Sequence, residues 1–306
     1  MARHFLSIDD LDPQELLHVL ELASKVKQSP ADHASALAGR AVALIFEKPS
    51  TRTRVSFEVA VATLGGHPVV LSSSELQLGR GETIEDTGRV LSRYVDAVAL
   101  RTFGQERLEA LASASTIPVS NALSDYEHPC QILADLLTVL EKKGEAAGRT
   151  LAFLGDGNNV AHSLLLGGAM LGMQVRVATP HGYEPIPQVV KRAEEIAAAT
   201  GGAIQVTNDP KAAAEGADAV YTDVWASMGQ EQEHDERVLV FSPFRLDGAA
   251  LSRAAEDAIV LHCLPAHRGE EIADEVIDGP SSVVWDQAEN RLHTQKALLL
   301  WLLQHA

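Results

Sequence analysis

Apolar residues recur along this chain in two alternating rhythms. Short apolar runs are bounded by polar or turn-forming residues: "AVALIF" (41–46), "PVVL" (68–71), "DAVAL" (96–100), "IPVSNA" (117–122), "TLAFLG" (150–155), "QVRVAT" (174–179), "AIQVT" (203–207), "DAVYTDV" (218–224) and "AIVLHCL" (258–264). Runs of this length without alternation predict strands covered on both faces. Between most of them lie stretches with helical apolar spacing, around Gln105 to Ala114, from near His128 and from Asn159 to Leu171, and a last one follows from about Ala288 to Gln304. Before the first strand, "LLHVLELASKVK" has the same period. Asp12 is its expected N-cap, Pro13 suits the first helical position and Glu15 completes a capping box. Gly65-Gly66 should end the helix that follows "AVALIF".

Strands alternating with helices predict an α/β fold with parallel sheets flanked by helices. About nine strands are many for one small sheet, and 306 residues suffice for two cores. The expectation is two such domains joined by long helices. The polar stretch "EKKGEAAGR" (141–149) marks the boundary, giving residues 1–140 and 141–287, with the last helix, 288–306, packing back on the first.

Charge narrows the function. The net charge of −17, with no basic stripe to offset it, argues against nucleic acid and acidic membranes as partners. Two cysteines, Cys130 and Cys263, exclude a disulfide framework and a multi-cysteine zinc site, and fit a reducing compartment. The N-terminus is too acidic and interrupted for a signal peptide. The run "ALLLWLL" falls far short of the ~20 residues that span a bilayer. A cytoplasmic location is the resulting expectation.

In parallel α/β sheets, ligands bind where strands hand over to helices, and five polar clusters fall at such junctions. After "AVALIF", Ser50, Thr51, Arg52 and Thr53 open a helix, where free N–H groups, hydroxyls and a fixed guanidinium suit a phosphate. This is not a P-loop, and capping alone would account for one hydroxyl only. In "HPCQ", His128 precedes a helix start and Gln131 can share its face, although a lone histidine is more often structural. "FLGDGNNVAHS" imitates a dinucleotide fingerprint but carries Val160 at the third glycine position and lacks an acidic residue after the next strand. Its amides suit a small polar ligand, or simply cap a helix. In "TDVWASMGQE", Asp223 and Ser227 could meet an ammonium, or form an ordinary capped loop. In "VLHCLPAHRGEEI", His262 and Cys263 are neighbours along a strand, so their side chains diverge and no dyad is expected. A buried inert thiol is the plain alternative, and no second ligand set is spaced for a metal.

Taken together, "STRTR" with "SFE", "HPCQ", "GDGNN", "DVWASMGQE" and "HCLPAHRGEE" occur in an order, across nearly the whole chain, that resembles the aspartate/ornithine carbamoyltransferase family, on its ornithine-using side. The resemblance implies transfer of a carbamoyl group from carbamoyl phosphate to L-ornithine, giving L-citrulline and phosphate in arginine metabolism. It also implies a homo-oligomer, a trimer sharing sites between subunits, and no cofactor or catalytic metal. Carried over by motif, Ser50, Thr51, Arg52 and Thr53 would hold the phosphate, with Arg291 completing that end. Arg101 would bridge phosphate and carbamoyl oxygen, His128 would donate to that oxygen, and Gln131 would orient the carbamoyl amide. Gln77 would reach a neighbouring subunit's site. Asn159, Asp223, Ser227 and Met228 would grip the amino-acid end of ornithine. Cys263 and Leu264 would sit where the carbamoyl group meets the δ-amine.

An aspartate-using enzyme would carry a lysine between Ser72 and Glu85, and none is there. Putrescine would not need the "SMG" grip, and "DVWASMG" with "HCLP" favours free over acetylated ornithine. A sensor that lost the reaction would not be expected to keep a suitable residue at every site position.

Overall fold

In the computed structural model, which describes residues 2–72, 81–226 and 231–305, the first helix begins as its sequence predicts. Helix α1, Pro13–Gln28, is capped by Asp12, whose carboxylate accepts from the N–H groups of Gln14 and Glu15 at 2.8 Å. Glu15 accepts in return from the Asp12 N–H at 2.9 Å, closing the capping box. The chain divides into two compact units, residues 1–137 with 289–306, and residues 138–288.

In the first unit, β1 (Ala41–Phe46), α2 (Thr51–Thr63), β2 (His67–Ser72), α3 (Ile84–Leu91), β3 (Ala97–Arg101), α4 (Gln105–Ala114) and β4 (Val119–Leu123) follow in turn. The sheet is parallel, in the order β2-β1-β3-β4. Ala43, Ile45, Val98, Leu100 and Val119 bury one face against Leu108 and Leu111 of α4. Helix α2 stops where predicted. Gly65 has φ +82°, and a Cβ there would lie 2.7 Å from the Ala34 carbonyl oxygen, so only glycine fits. Helix α5, Pro129–Lys143, carries the chain across the unit boundary.

In the second unit, β5 (Thr150–Leu154), α6 (Asn159–Met170), β6 (Gln174–Ala178), α7 (Pro187–Thr200), β7 (Ala203–Thr207), α8 (Pro210–Ala214) and β8 (Ala219–Thr222) are followed by α9 (His234–Phe241), α10 (Gly248–Leu251), β9 (Ile259–His262) and α11 (Asp274–Ile277). This sheet is also parallel, in the order β7-β6-β5-β8-β9. Ala152, Leu154, Val220 and Val260 lie with Phe244, Leu246 and Ile272 in its core. Helix α12, Val284–Gln304, takes the chain back to the first unit. Among the described residues no helix is long and apolar enough to cross a membrane.

Strand order locates the sites. In the first sheet the chain winds from β1 outward to β2 and then returns to β3, so β1 and β3 flank the switch in direction. In the second, β5 and β8 flank it. The crevice beyond the carboxyl ends of such a strand pair is where α/β sheets bind ligands.

Candidate active site

At the first switch point, the turn after β1 meets the end of β3. Ser50 is the N-cap of α2, and its hydroxyl accepts from the Thr53 N–H at 3.2 Å. Thr51 and half-buried Arg52 lie in the first turn, which holds no acidic residue. Thr53 is buried, and its hydroxyl accepts from Nη2 of Arg291 at 2.6 Å. Arg54 points elsewhere, pairing with Glu58 at 3.0 Å on the exposed side of the helix. Arg101 is buried at the end of β3, where the pairing with β4 shifts register between Leu100 and Arg101. Irregularities of this kind re-aim a side chain.

His128, also buried, immediately precedes α5. Its pKa lies well below the usual histidine value, first because it is buried and then because Arg291, Arg101 and Arg52 surround it with positive charge. The imidazole is therefore neutral at physiological pH and keeps one N–H to donate. One turn along, buried Gln131 donates from Nε2 to Asp135 at 2.8 Å. Its Oε1 is buried with no hydrogen-bond partner among the described residues. That orientation presents an acceptor, the group an amide –NH₂ requires. Cys130, between them, donates to the Asn121 carbonyl, and burial pushes its thiol up to about 12. It is inert packing.

At the second switch point, Asp223 stands one residue beyond β8. Its carboxylate accepts from Asn158 Nδ2 at 2.9 Å, from the Val224 N–H at 2.8 Å and from the Cys263 thiol at 2.9 Å. Asn158 caps α6 through its Oδ1, and Asn159 is that helix's first residue. Both β8 and β9 end earlier than the apolar runs predict. Strand β9 closes at His262, leaving half-buried Cys263 just past it. Both ring nitrogens of His262 are engaged. Nδ1 accepts from the Leu264 N–H at 2.8 Å, so the proton is assigned to Nε2, which donates to buried Glu271 at 3.1 Å. Leu264 has a left-handed φ of 58° and precedes a cis proline bond to Pro265. Such a φ is uncommon outside glycine, and the hydrogen bond to His262 helps fix it. The fold also brings Asp223 beside Cys263 and His262, a neighbour that spacing along the chain does not show.

The second glycine of "GDG" serves packing. A Cβ on Gly157 would fall 2.3–2.5 Å from backbone atoms of Tyr183, Glu184 and Pro185, and its N–H donates to the Tyr183 carbonyl at 2.9 Å. The protein's own chain lies where close backbone approach requires glycine.

The whole chain can be set against known families. The profile described as "Aspartate/ornithine carbamoyltransferase, carbamoyl-P binding domain" matches residues 3–141, and the profile for the Asp/Orn binding domain matches residues 147–302. This chain belongs to the aspartate/ornithine carbamoyltransferase family. It is 63% identical over 305 residues to the ornithine carbamoyltransferase of Parafrankia sp. strain EAN1pec, covering 99% of this chain and 96% of the relative. Over 304 residues it is 59% identical to the enzyme so named in Rhodococcus opacus strain B4, with the same coverage. Among solved structures, ornithine carbamoyltransferase from Pyrococcus furiosus is similar with a TM-score of 0.94 at 53% identity, over 97% of this chain and 96% of that one.

Within this member of the aspartate/ornithine carbamoyltransferase family, the structure brings Thr53, Arg52, Arg101, His128 and Arg291 together in one unit. It brings Asp223 and Cys263 together in the other. Gln77, Ser227 and Met228 lie outside the described residues. The fold also shows supporting residues that the motifs did not single out. Glu47, next after β1, accepts from Arg107 Nε at 3.0 Å and Nη2 at 2.5 Å and from Thr102. Lys48 pairs with Asp125 and lies 4.3 Å from the Phe103 ring centre. Asp156 pairs with Arg237 at 2.9 Å, and Arg237 also donates to the Trp225 carbonyl at 2.9 Å. Burial pushes Asp156 up to about 6, although Arg237 pulls it down. The signal for these residues was a charge set directly after a buried strand, which in this fold must find a partner.

Proposed function

We propose that this chain transfers the carbamoyl group of carbamoyl phosphate to the δ-amine of L-ornithine, yielding L-citrulline and phosphate. The observation that carries the reading is the grouping of Arg52, Arg101 and Arg291 around a neutral, buried His128 at the acid-free start of α2. Phosphate matches helix N–H groups and forked guanidinium donors. In this reading residues 1–140 with 288–306 bind carbamoyl phosphate and residues 141–287 bind ornithine.

Ser50, Thr51, Arg52 and Thr53 hold the phosphate, and Arg291 braces Thr53. Arg101 and His128 donate to the carbamoyl oxygen, and Gln131 Oε1 accepts from the carbamoyl –NH₂. A free δ-amine has a pKa of roughly 10.4 and is almost wholly protonated in neutral water. A dry site beside arginines favours the neutral amine. The amine then attacks the carbamoyl carbon, and negative charge gathers on an oxygen that already faces fixed donors. The carbon–oxygen bond to phosphate breaks, phosphate departs with the bonding pair, and a phosphate oxygen takes the proton from the nitrogen. No covalent enzyme intermediate, cofactor or catalytic metal forms part of this scheme. Asp223, with Asn159, Ser227 and Met228, grips the α-amino and α-carboxylate groups. Cys263 and Leu264 line the meeting point of amine and carbamoyl carbon. The assembly proposed is a cytoplasmic homotrimer in arginine metabolism, with Gln77 reaching a neighbouring site.

The test is citrulline production from carbamoyl phosphate and L-ornithine, with L-aspartate, putrescine and N-acetyl-L-ornithine in parallel. Ornithine should be the preferred acceptor by a wide margin. A faster reaction with any of the others, or none with ornithine, overturns the assignment.

A further inference from the structure

Away from the residues assigned to chemistry, the second unit holds a cluster of two imidazoles and a carboxylate. His267 and Glu270 sit on one tight turn, closed by the Glu270 N–H donating to the His267 carbonyl at 2.9 Å. The turn is fixed from several sides. Arg245 Nε donates to the Glu270 carbonyl at 2.7 Å, the Gly269 N–H donates to Ile272 at 2.9 Å, and the His267 N–H donates to Glu271 at 2.6 Å. His234, the first residue of α9, reaches the same point. Its Nε2 lies 3.1 Å from Glu270 Oε2, and His267 Nδ1 lies 3.6 Å from that same oxygen. One ligand atom from each of the three residues falls within 4.8 Å of the others.

We propose that His234, His267 and Glu270 form a binding site for a divalent transition-metal ion of the zinc class. Zinc bonds nitrogen and carboxylate oxygen at about 2.0–2.2 Å, so neighbouring ligands of a tetrahedral site stand about 3.3–3.6 Å apart. The separations of 3.1 and 3.6 Å from Glu270 bracket that edge before any ion has drawn the ligands in. Two imidazoles with one carboxylate select zinc, cobalt or nickel over calcium or magnesium. A carboxylate also stands behind the first imidazole. His234 Nδ1 lies 3.5 Å from Asp235 Oδ1, the placement that orients a ligating histidine and raises its basicity. The three side chains are 31–44% exposed, which leaves the fourth position to water and gives the ion a path in.

This site shares no side chain with the Asp223, His262 and Cys263 cluster, and it stands whether or not the proposed reaction is correct. Zinc is titrated calorimetrically into chelator-treated, tag-free full-length protein and into His234→Gln, His267→Gln, Glu270→Gln and Cys263→Ala. All four substitutions are at positions with solvent access, and circular dichroism checks that each variant is folded. Expected is one ion per chain, bound at least tenfold more weakly in each of the first three variants and unchanged in Cys263→Ala. Cobalt bound to the wild type should give a four-coordinate absorption spectrum without a thiolate charge-transfer band. The proposal is overturned if wild-type protein takes up no zinc, if the first three variants bind like wild type, or if Cys263→Ala alone abolishes binding.

Discussion

Acidification should cost the unit that holds His128 about 2 kcal/mol more than it costs the same unit carrying His128→Gln. In the folded chain, burial and the charges of Arg291, Arg101 and Arg52 hold this imidazole neutral well below the ordinary titration range. In the unfolded chain it titrates near 6.5. The unfolded state therefore binds the additional proton, so the contribution to stability is present above pH 6.5 and is lost as pH falls below it. One such proton is worth about 1.4 kcal/mol per pH unit, and integration from pH 7 to 5 gives about 2 kcal/mol. His4 and His293, in the same unit, are also lowered by burial and steepen the wild-type curve. Subtracting the variant's curve removes their share. Urea unfolding at pH 7, 6 and 5 provides the measurement, followed by the fluorescence of Trp301 in a Trp225→Phe, Trp285→Phe background. Trp301 is buried and is the single tryptophan of that unit, so it reports that unit's unfolding. If the variant and the parent lose stability in parallel, His128 accepts a proton freely in the folded state, and its role as a neutral donor fails.

Two further outcomes follow from the same geometry. Arg52→Ala should raise the carbamoyl phosphate concentration needed for half-saturation by roughly 10- to 150-fold, the worth of one hydrogen bond to a charged group, with an unchanged unfolding midpoint; unaltered saturation would remove Arg52 from the phosphate clamp. Cys263→Ala should lower kcat roughly five- to tenfold while circular dichroism stays the same; wild-type turnover would reduce Cys263 to a wall of the pocket.

What could be read from the sequence follows the range of the physics involved. The Asp12 cap, the stop at Gly65 and the buried strands were legible because each depends on residues a few positions apart. The geometry of the Ser50–Thr53 turn was legible in part. Hydroxyls and a guanidinium at a helix start announce an anion, but capping by Ser50 is all that neighbouring residues could establish. That Arg291 reaches Thr53 depends on the fold, since 238 positions separate them. The same holds for Asp156 with Arg237, and for the thiol of Cys263 with Asp223. Spacing along the chain likewise could not show that Asp223 stands beside Cys263 and His262, because it is the adjacency of β8 and β9 in the sheet that delivers it there. The early ends of β8 and β9 had no apolar signal, since Val224 and Leu264 continue the runs. Instead the Val224 and Leu264 N–H groups donate to the side chains of Asp223 and His262, which ends the ladders.

Helix α12 has a consequence for the order of synthesis. The first unit needs its last sixteen helical residues: Arg291 for Thr53, Asn290 to receive Lys27 at 2.8 Å, and Trp301 beneath Arg3 at 4.6 Å. A ribosome adding about 5–20 residues per second delivers Arg291 roughly 10–50 s after Thr53. During that interval the sheet of β1 to β4 can form, yet the buried places of Leu298, Leu299 and Trp301 stay open and the turn at Thr53 lacks its brace. A chain cut short anywhere before residue 289 would thus be both sticky and short of Arg291, so only chains that reach α12 could assemble the proposed phosphate site.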